Sequence, residues 1–135
     1  DDVLKYATQP VIDSHTGLNS VYEHYRNLED RHVIGIAETG GVIGIIFYPY
    51  YLTGHIMESL QCVIRHVMRA VELVGPDHVA LGSDFDGFVS MPLGLKDVSC
   101  LPRLTQLLLE QGLAPDDIKK ILGENFRRVF TQVCG

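Results

Sequence analysis

Between Val42 and Tyr48 the chain reads Val-Ile-Gly-Ile-Ile-Phe-Tyr, a run without a charged position and rich in β-branched and aromatic residues. Such a run fits a strand covered on both faces. Two shorter stretches of the same kind flank it: Val11-Ile12-Asp13-Ser14, which follows Pro10 and runs into His15, and His78 to Gly82. Between them the apolar period becomes that of a helix. From Leu28 to Thr39 apolar residues stand at 33, 36 and 37, acids come early, and Gly40-Gly41 follow as a stop signal. Residues 55 to 74 place Ile56, Leu60, Val63, Ile64, Val67, Val71 and Val74 at helical spacing and close at Gly75-Pro76. After a loop rich in Gly and Pro, Ser99 is positioned to cap a helix reaching Glu110. Pro115, with Asp116 and Asp117 suited to the helix dipole, opens another that ends at Gly123, and a last helix spans Glu124 to Val133. Residues 16 to 27 and the segment from Pro49 to Gly54 show no period and read as loops.

The expected order is β-α-β-α-β-α-α-α. Strands alternating with helices imply parallel strands joined by right-handed crossovers, an α/β fold. Three such strands are too few to close a (β/α) barrel, which needs eight, and an open three-stranded sheet leaves two long unpaired edges. Residues 1–135 are therefore expected to form a single incomplete domain that needs a partner segment. A small open α/β sandwich is the alternative.

Composition narrows the function classes. With 46% hydrophobic residues the chain can build a real core, and its net charge of −6 with scattered Lys and Arg argues against nucleic acid as a partner. No apolar run approaches the ~18–20 residues of a membrane span, and no basic, apolar leader opens the sequence. Cys62, Cys100 and Cys134 are odd in number and widely spaced, so they suit neither a CxxC metal pair nor a disulfide framework. They are expected to be reduced thiols, buried or half-buried, in a reducing and hence cytoplasmic compartment.

In a parallel barrel, chemistry gathers at the C-terminal ends of the strands. His15 ends the first strand; Tyr48, Tyr50 and Tyr51 follow the second; Asp84 and Asp86 follow the third within Gly82-Ser83-Asp84-Phe85-Asp86-Gly87. Strict alternation puts His15 on one face with Val11 and Asp13, and puts Asp84 with Gly82 and Ala80, whose small size leaves room beside the carboxylate. A His and an Asp at neighbouring strand mouths can converge on one metal or one polarised water. Each can equally serve as a loop hydrogen-bonder, and for Asp86, which precedes Gly87, turn chemistry is the expected role. His24, His32, His55, His66 and His78 show no metal-ligand spacing and are expected to be structural or solvated. Alternation turns Asp13 toward the interior, either orienting a metal ligand or hydrogen-bonded among interior groups.

Taken as motifs, these segments resemble one family. Pro10-Val11-Ile12-Asp13-Ser14-His15 resembles the PVIxSH motif of the renal (membrane) dipeptidase family, peptidase family M19. Arg26-Asn27-Leu28 with Asp30, followed by Ile36-Ala37-Glu38-Thr39-Gly40-Gly41-Val42-Ile43-Gly44, is similar to its RNLxD…IAxTGGVIG stretch, and Asp77-His78-Val79 with Gly82 to Gly87 to its DHVxxGSDFDG signature. Gly94 to Ser99 and Gly123 to Val129 also fit. The likeness runs in order over nearly the whole chain. It departs at Asp13, where the family usually has an apolar or small residue, and at Thr16 and Gly17.

The resemblance implies a (β/α)8 barrel that holds two zinc ions and hydrolyses dipeptides by attack of a metal-activated hydroxide. This chain would carry its last three strands and closing helices. His15 falls on the last metal-binding histidine, Arg26 on the arginine that grips the substrate's C-terminal carboxylate, and Asp84 on the aspartate that handles the proton. Tyr51 falls on a tyrosine near that carboxylate, with Tyr48 and Tyr50 as competitors. The His-x-Asp pair, the bridging glutamate and the other metal histidine would lie before residue 1, in the N-terminal half of the same barrel. Association as a homodimer is left open. Other amidohydrolase chemistry on N-acyl amino acids or cyclic amides, or a non-catalytic barrel relative, are the competing functions.

Overall fold

The computed structural model describes residues 2–87 and 89–135. Strands β1 (Ile12–Thr16), β2 (Val42–Ile46) and β3 (Val79–Gly82) form one parallel sheet in the order β1-β2-β3. The crossovers run through α2 (Asp30–Glu38) and α4 (Gln61–Val74), as the change of period predicts. The α4 helix turns Cys62, Val63, Ile64, His66, Val67 and Ala70 inward against the sheet. Each Val or Ile so buried contributes about 1.5–3 kcal/mol, so this stripe anchors the helix layer. Arg69 of α4 ties it to α2 through Asp30 at 2.7 Å.

The two faces of the sheet are distinct. Ile43 and Ile45 join the large cluster that contains Val33 and Ile36 of α2 and Val63 and Val67 of α4. Val42 and Ala80 belong to a small separate cluster with Val129 and Phe126. Side chains alternate along a strand, so the first group marks the outer, helix-covered face. The face carrying Val42, Gly44, Ala80 and Gly82 corresponds to a barrel interior. At its base it is covered by α7 (Asn125–Cys134).

Several elements differ from the periodicity reading. The segment after Tyr48 is a short helix, α3 (Pro49–Thr53), started by Pro49 and stopped by Gly54 at φ 77°. These are ordinary helix start and stop residues. The α4 helix begins at Gln61 instead of residue 55, because the preceding backbone pairs elsewhere. Leu93 N–H donates to Glu58 O at 2.7 Å, and Ser59 bridges Leu93. Asp97, not Ser99, caps the next helical segment, its carboxylate accepting from Ser99 N–H at 2.9 Å. A short 3₁₀ turn then leads into α5 (Leu101–Glu110). The expected break at Gly123 is present: its backbone leaves the helical region at φ 170°, a kink between α6 (Pro115–Lys119) and α7. An N-terminal helix, α1 (Asp2–Tyr6), packs Leu4 over Gly35 and has no counterpart in the sequence reading.

Among the described residues no helix is long and apolar enough to cross a membrane. All three cysteines are free; Cys62 is buried and Cys100 half-buried, but Cys134 is exposed at the end of α7, unlike the expectation for all three.

Candidate active site

The decisive local feature is a β-bulge in β1. Ile12 and Asp13 pair with Val42 and Ile43, but Thr16 pairs with Ile45, so β1 carries one residue more than β2 across this stretch. A bulge resets the alternation of side chains. Asp13 keeps the face of Ile43, toward α2, and lines a small cleft with Val11, Leu28, His32 and Ile36. It does not point into the interior, as unbroken alternation predicts. Ser14 and His15 occupy the bulge and come over the inner face instead. A Cβ built on Gly82 would lie 2.8 Å from His15 Cα and 2.9 Å from His15 Cβ, and one on Gly44 would strike the Ser14 carbonyl. The small residues on the inner face thus make room for the bulged main chain of β1, not for the Asp84 carboxylate.

His15 is half-buried, and Ser14 Oγ lies 2.7 Å from its Nδ1. Its Nε2 has no partner among the described residues. Asp13 Oδ1 accepts the His15 backbone N–H at 3.3 Å. Burial raises the Asp13 carboxyl above its usual range, opposed by that N–H and by the charges of His15 and Arg26.

Beyond β1, Thr16 Oγ1 contacts both Gly17 O and Arg26 O at 3.1 Å. The loop returns to pair Leu18 with Leu28. Arg26 is exposed, its guanidinium 5.8 Å from the centre of the Tyr51 ring. Tyr51 stacks on His24 at 4.7 Å and meets Tyr48 edge-on at 4.8 Å. Burial pushes the Tyr51 hydroxyl upward, Tyr25 adds to that, and the Arg26 cation opposes it. Of the three tyrosines after β2, Tyr51 is therefore the one that meets Arg26.

Asp84 and Asp86 both adopt left-handed backbone, at φ 57° and 64°. Aspartate tolerates this conformation better than most residues. Gly87 N–H closes the turn on Asp84 O at 3.1 Å, and the Asp84 carboxylate lies where a Cβ on Gly87 would be. Phe85 anchors the turn edge-to-face on Phe47 at 5.6 Å. Among the described residues the Asp84 carboxylate accepts no hydrogen bond. Asp86 is exposed. A neighbouring cleft is lined by Phe85, Asp86, Val89, Lys96 and Asp97 and includes none of His15, Arg26 or Tyr51.

The structure thus places His15 against Gly82, two residues before Asp84, and Arg26 over Tyr51. It does not assemble a metal site: among the described residues no group of three His, Cys, Asp or Glu could hold an ion. The residues present fit one ligand position, with Nε2 of His15 open, and not a complete centre.

Two further residues support the site: Asn27, to which the sequence reading gave no role, and His66, which is structural as expected. Asn27 is 7% exposed and donates through Nδ2 to Tyr22 O and Tyr51 O, both at 2.8 Å. His66 is wholly buried between Leu18 and Leu52. Their signals were present: Asn27 adjoins Arg26, and His66 falls three residues after Val63 and four before Ala70, on the apolar stripe of α4.

A family model for membrane dipeptidase (Peptidase family M19) matches residues 1–134. The chain belongs to that family. It is 36% identical over 129 residues to an uncharacterized dipeptidase of Schizosaccharomyces pombe, covering 94% of this chain and 32% of that protein. It is also 36% identical over 134 residues to the dipeptidase tcpJ of Claviceps purpurea, covering 98% and 31%. The chain therefore spans about a third of the length of these relatives. Among solved structures, a Rhodobacter sphaeroides metallopeptidase liganded with a phosphinate mimic of the dipeptide L-Ala-D-Ala aligns with a TM-score of 0.91 at 31% identity, over 97% of this chain and 38% of that one. A dipeptidase of the same M19 family aligns with a TM-score of 0.90 at 32% identity, over 96% and 38%. The three-stranded sheet and its helices have the fold of the C-terminal portion of a (β/α)8 barrel, as in these M19 metallopeptidase structures.

Proposed function

We propose that the complete protein is a zinc-dependent dipeptidase in which this chain supplies one metal ligand, the carboxylate grip and a proton carrier. The observation that carries the reading is the bulge: it turns His15 to the inner face beside Gly82, at the mouth where β3 delivers Asp84. The M19 match and the dipeptide-mimic complex of a related metallopeptidase support the choice of substrate class.

His15 offers Nε2 to the metal, with Ser14 engaging Nδ1 and fixing the ring. Two zinc ions, held by His15 together with residues outside this chain, would supply Lewis-acid polarisation and lower the pKa of a bound water. Arg26 pairs with the substrate's terminal carboxylate through two parallel N–H bonds, which limits substrates to one residue beyond the scissile bond. Tyr51, beneath Arg26, fixes the height of that grip. Asp84, whose carboxylate accepts no hydrogen bond among the described residues, accepts a proton from the attacking water and returns it to the leaving amine.

The test is a substrate panel on the complete protein and its Arg26→Met variant: dipeptides, dipeptide amides and N-acyl amino acids. The variant should raise KM for free dipeptides about 10- to 100-fold, the worth of a charge-assisted pair, and narrow their advantage over the amides. Preferred turnover of N-acyl amino acids by the parent protein would overturn the dipeptidase assignment.

A further inference from the structure

Two buried polar side chains join the loop that bears Arg26 to the helix that bears Tyr51. Asn27 follows Arg26 directly. Its Nδ2 carries two hydrogens and spends both on main-chain carbonyls: Tyr22 O within its own loop, and Tyr51 O across the gap. Its Oδ1 is buried without a partner among the described residues, and a Cβ on Gly17 would collide with it. The side chain is wedged in one orientation in which its donors, not its acceptor, are used.

His66 makes a parallel tie from α4. Leu18 N–H can only donate, so it fixes His66 Nδ1 as the acceptor, at 3.0 Å. The ring proton then sits on Nε2 and is given to Leu52 O at 3.0 Å. Leu18 belongs to the Arg26 loop and Leu52 adjoins Tyr51. Thr16, which holds Arg26 O, completes the frame.

We infer that Asn27 and His66 are positioning residues that set the distance between Arg26 and Tyr51, and through it the place at which the substrate's terminal carboxylate is held. The inference rests on the proposed role of Arg26. Both side chains are buried and the hydrogen bonds they make run to main chain, whereas Arg26 is exposed. Their effect on catalysis passes through Arg26.

The test is a mutant cycle in the complete, zinc-loaded protein. Asn27→Ala and Arg26→Met are made singly and together, and kcat, KM and the ratio of free dipeptide to dipeptide amide turnover are measured with the thermal midpoint. Asn27→Ala is expected to raise KM for the free dipeptide about 5- to 30-fold and to erode the dipeptide–amide ratio, with kcat changed less than threefold. Added to Arg26→Met it should raise KM no further, because the residue it acts through is gone. Asn27→Asp keeps the volume but loses both donated bonds, and decides the matter if the alanine variant fails to fold. His66→Gln, which can still accept and donate, should retain the ratio better than His66→Leu. A lowered midpoint with KM and ratio intact would make Asn27 merely structural and overturn the inference. A ratio untouched by Arg26→Met itself would instead defeat the function proposed for Arg26.

Discussion

The two ends of the sheet are built differently. At the N-terminal ends of the strands, polar side chains are spent on fixed partners. Asn125 donates to Pro76 O at 2.7 Å and Val79 O at 2.8 Å, and Arg128 donates to Gly40 O and Asp77 O, both at 2.8 Å. Lys120 sits between Asp77 at 2.8 Å and Asp117 at 3.0 Å, which holds the Asp77 carboxyl below its usual range. At the C-terminal ends, Arg26 and Asp84 have no ion pair among the described residues, and Asp84 sits on left-handed backbone. The base is tied for stability. The mouth leaves its charges available, and what order it has comes from main-chain ties beneath them.

The largest expected effect tests whether the mouth is sufficient by itself. Residues 1–135 expressed alone should bind no stoichiometric zinc and hydrolyse no dipeptide, since one imidazole cannot hold the metals; elemental analysis and a turnover assay check both. Next, in the complete protein, Asp84→Asn should keep fold and zinc while kcat falls about 10²–10⁴-fold, the range for lost acid–base catalysis. Asp86→Asn, in an exposed turn, should be far milder. Near-normal turnover in the Asp84 variant would remove the distinction between the two ends.

A third prediction concerns the tie beneath the mouth. Burial lowers the His66 pKa to about 4, from an ordinary value of 6.5. The neutral ring is the form the fold accepts, so its stabilisation is complete above pH 6.5 and is lost as pH falls from there through 4. The loss approaches about 3 kcal/mol. Urea unfolding at pH 7 and pH 4.5 should show it, and His66→Gln should flatten that part of the dependence. The smallest effect belongs to the base: Asn125→Ala, which strands two carbonyls, should cost about 2 kcal/mol of stability and leave kcat per folded molecule unchanged. A change in kcat as large as that of Asp84→Asn would show that base and mouth are not separable.

Much of this fold was legible in the sequence because its signals are local. The apolar run of β2, the helical stripe of α4 and the glycines that close α2 and α4 each fix their element within a few residues. What stayed hidden depends on distant partners. The bulge at Ser14 and His15 is a mismatch between two strands nearly thirty residues apart, and strict alternation along β1 alone misplaces Asp13, which the bulge separates from the face of His15. The late start of α4 follows from the Glu58–Leu93 bond. The α3 helix was a different failure, since Pro49 and Gly54 were both present and only its shortness hid it. The candidate site residues were found through motif likeness. Asn27 and His66 required the structure, because their value lies in which carbonyls and amides they reach.

The glycines under the bulge carry a genetic consequence. What a side chain at position 44 or 82 would meet first is main chain, the Ser14 carbonyl and the His15 Cα, with the His15 Cβ beside it at position 82. In a saturation library of the complete protein, only glycine should survive selection at these two positions. Second-site suppressors of the losses should not be found among the surrounding side chains, because no substitution elsewhere shortens a backbone carbonyl.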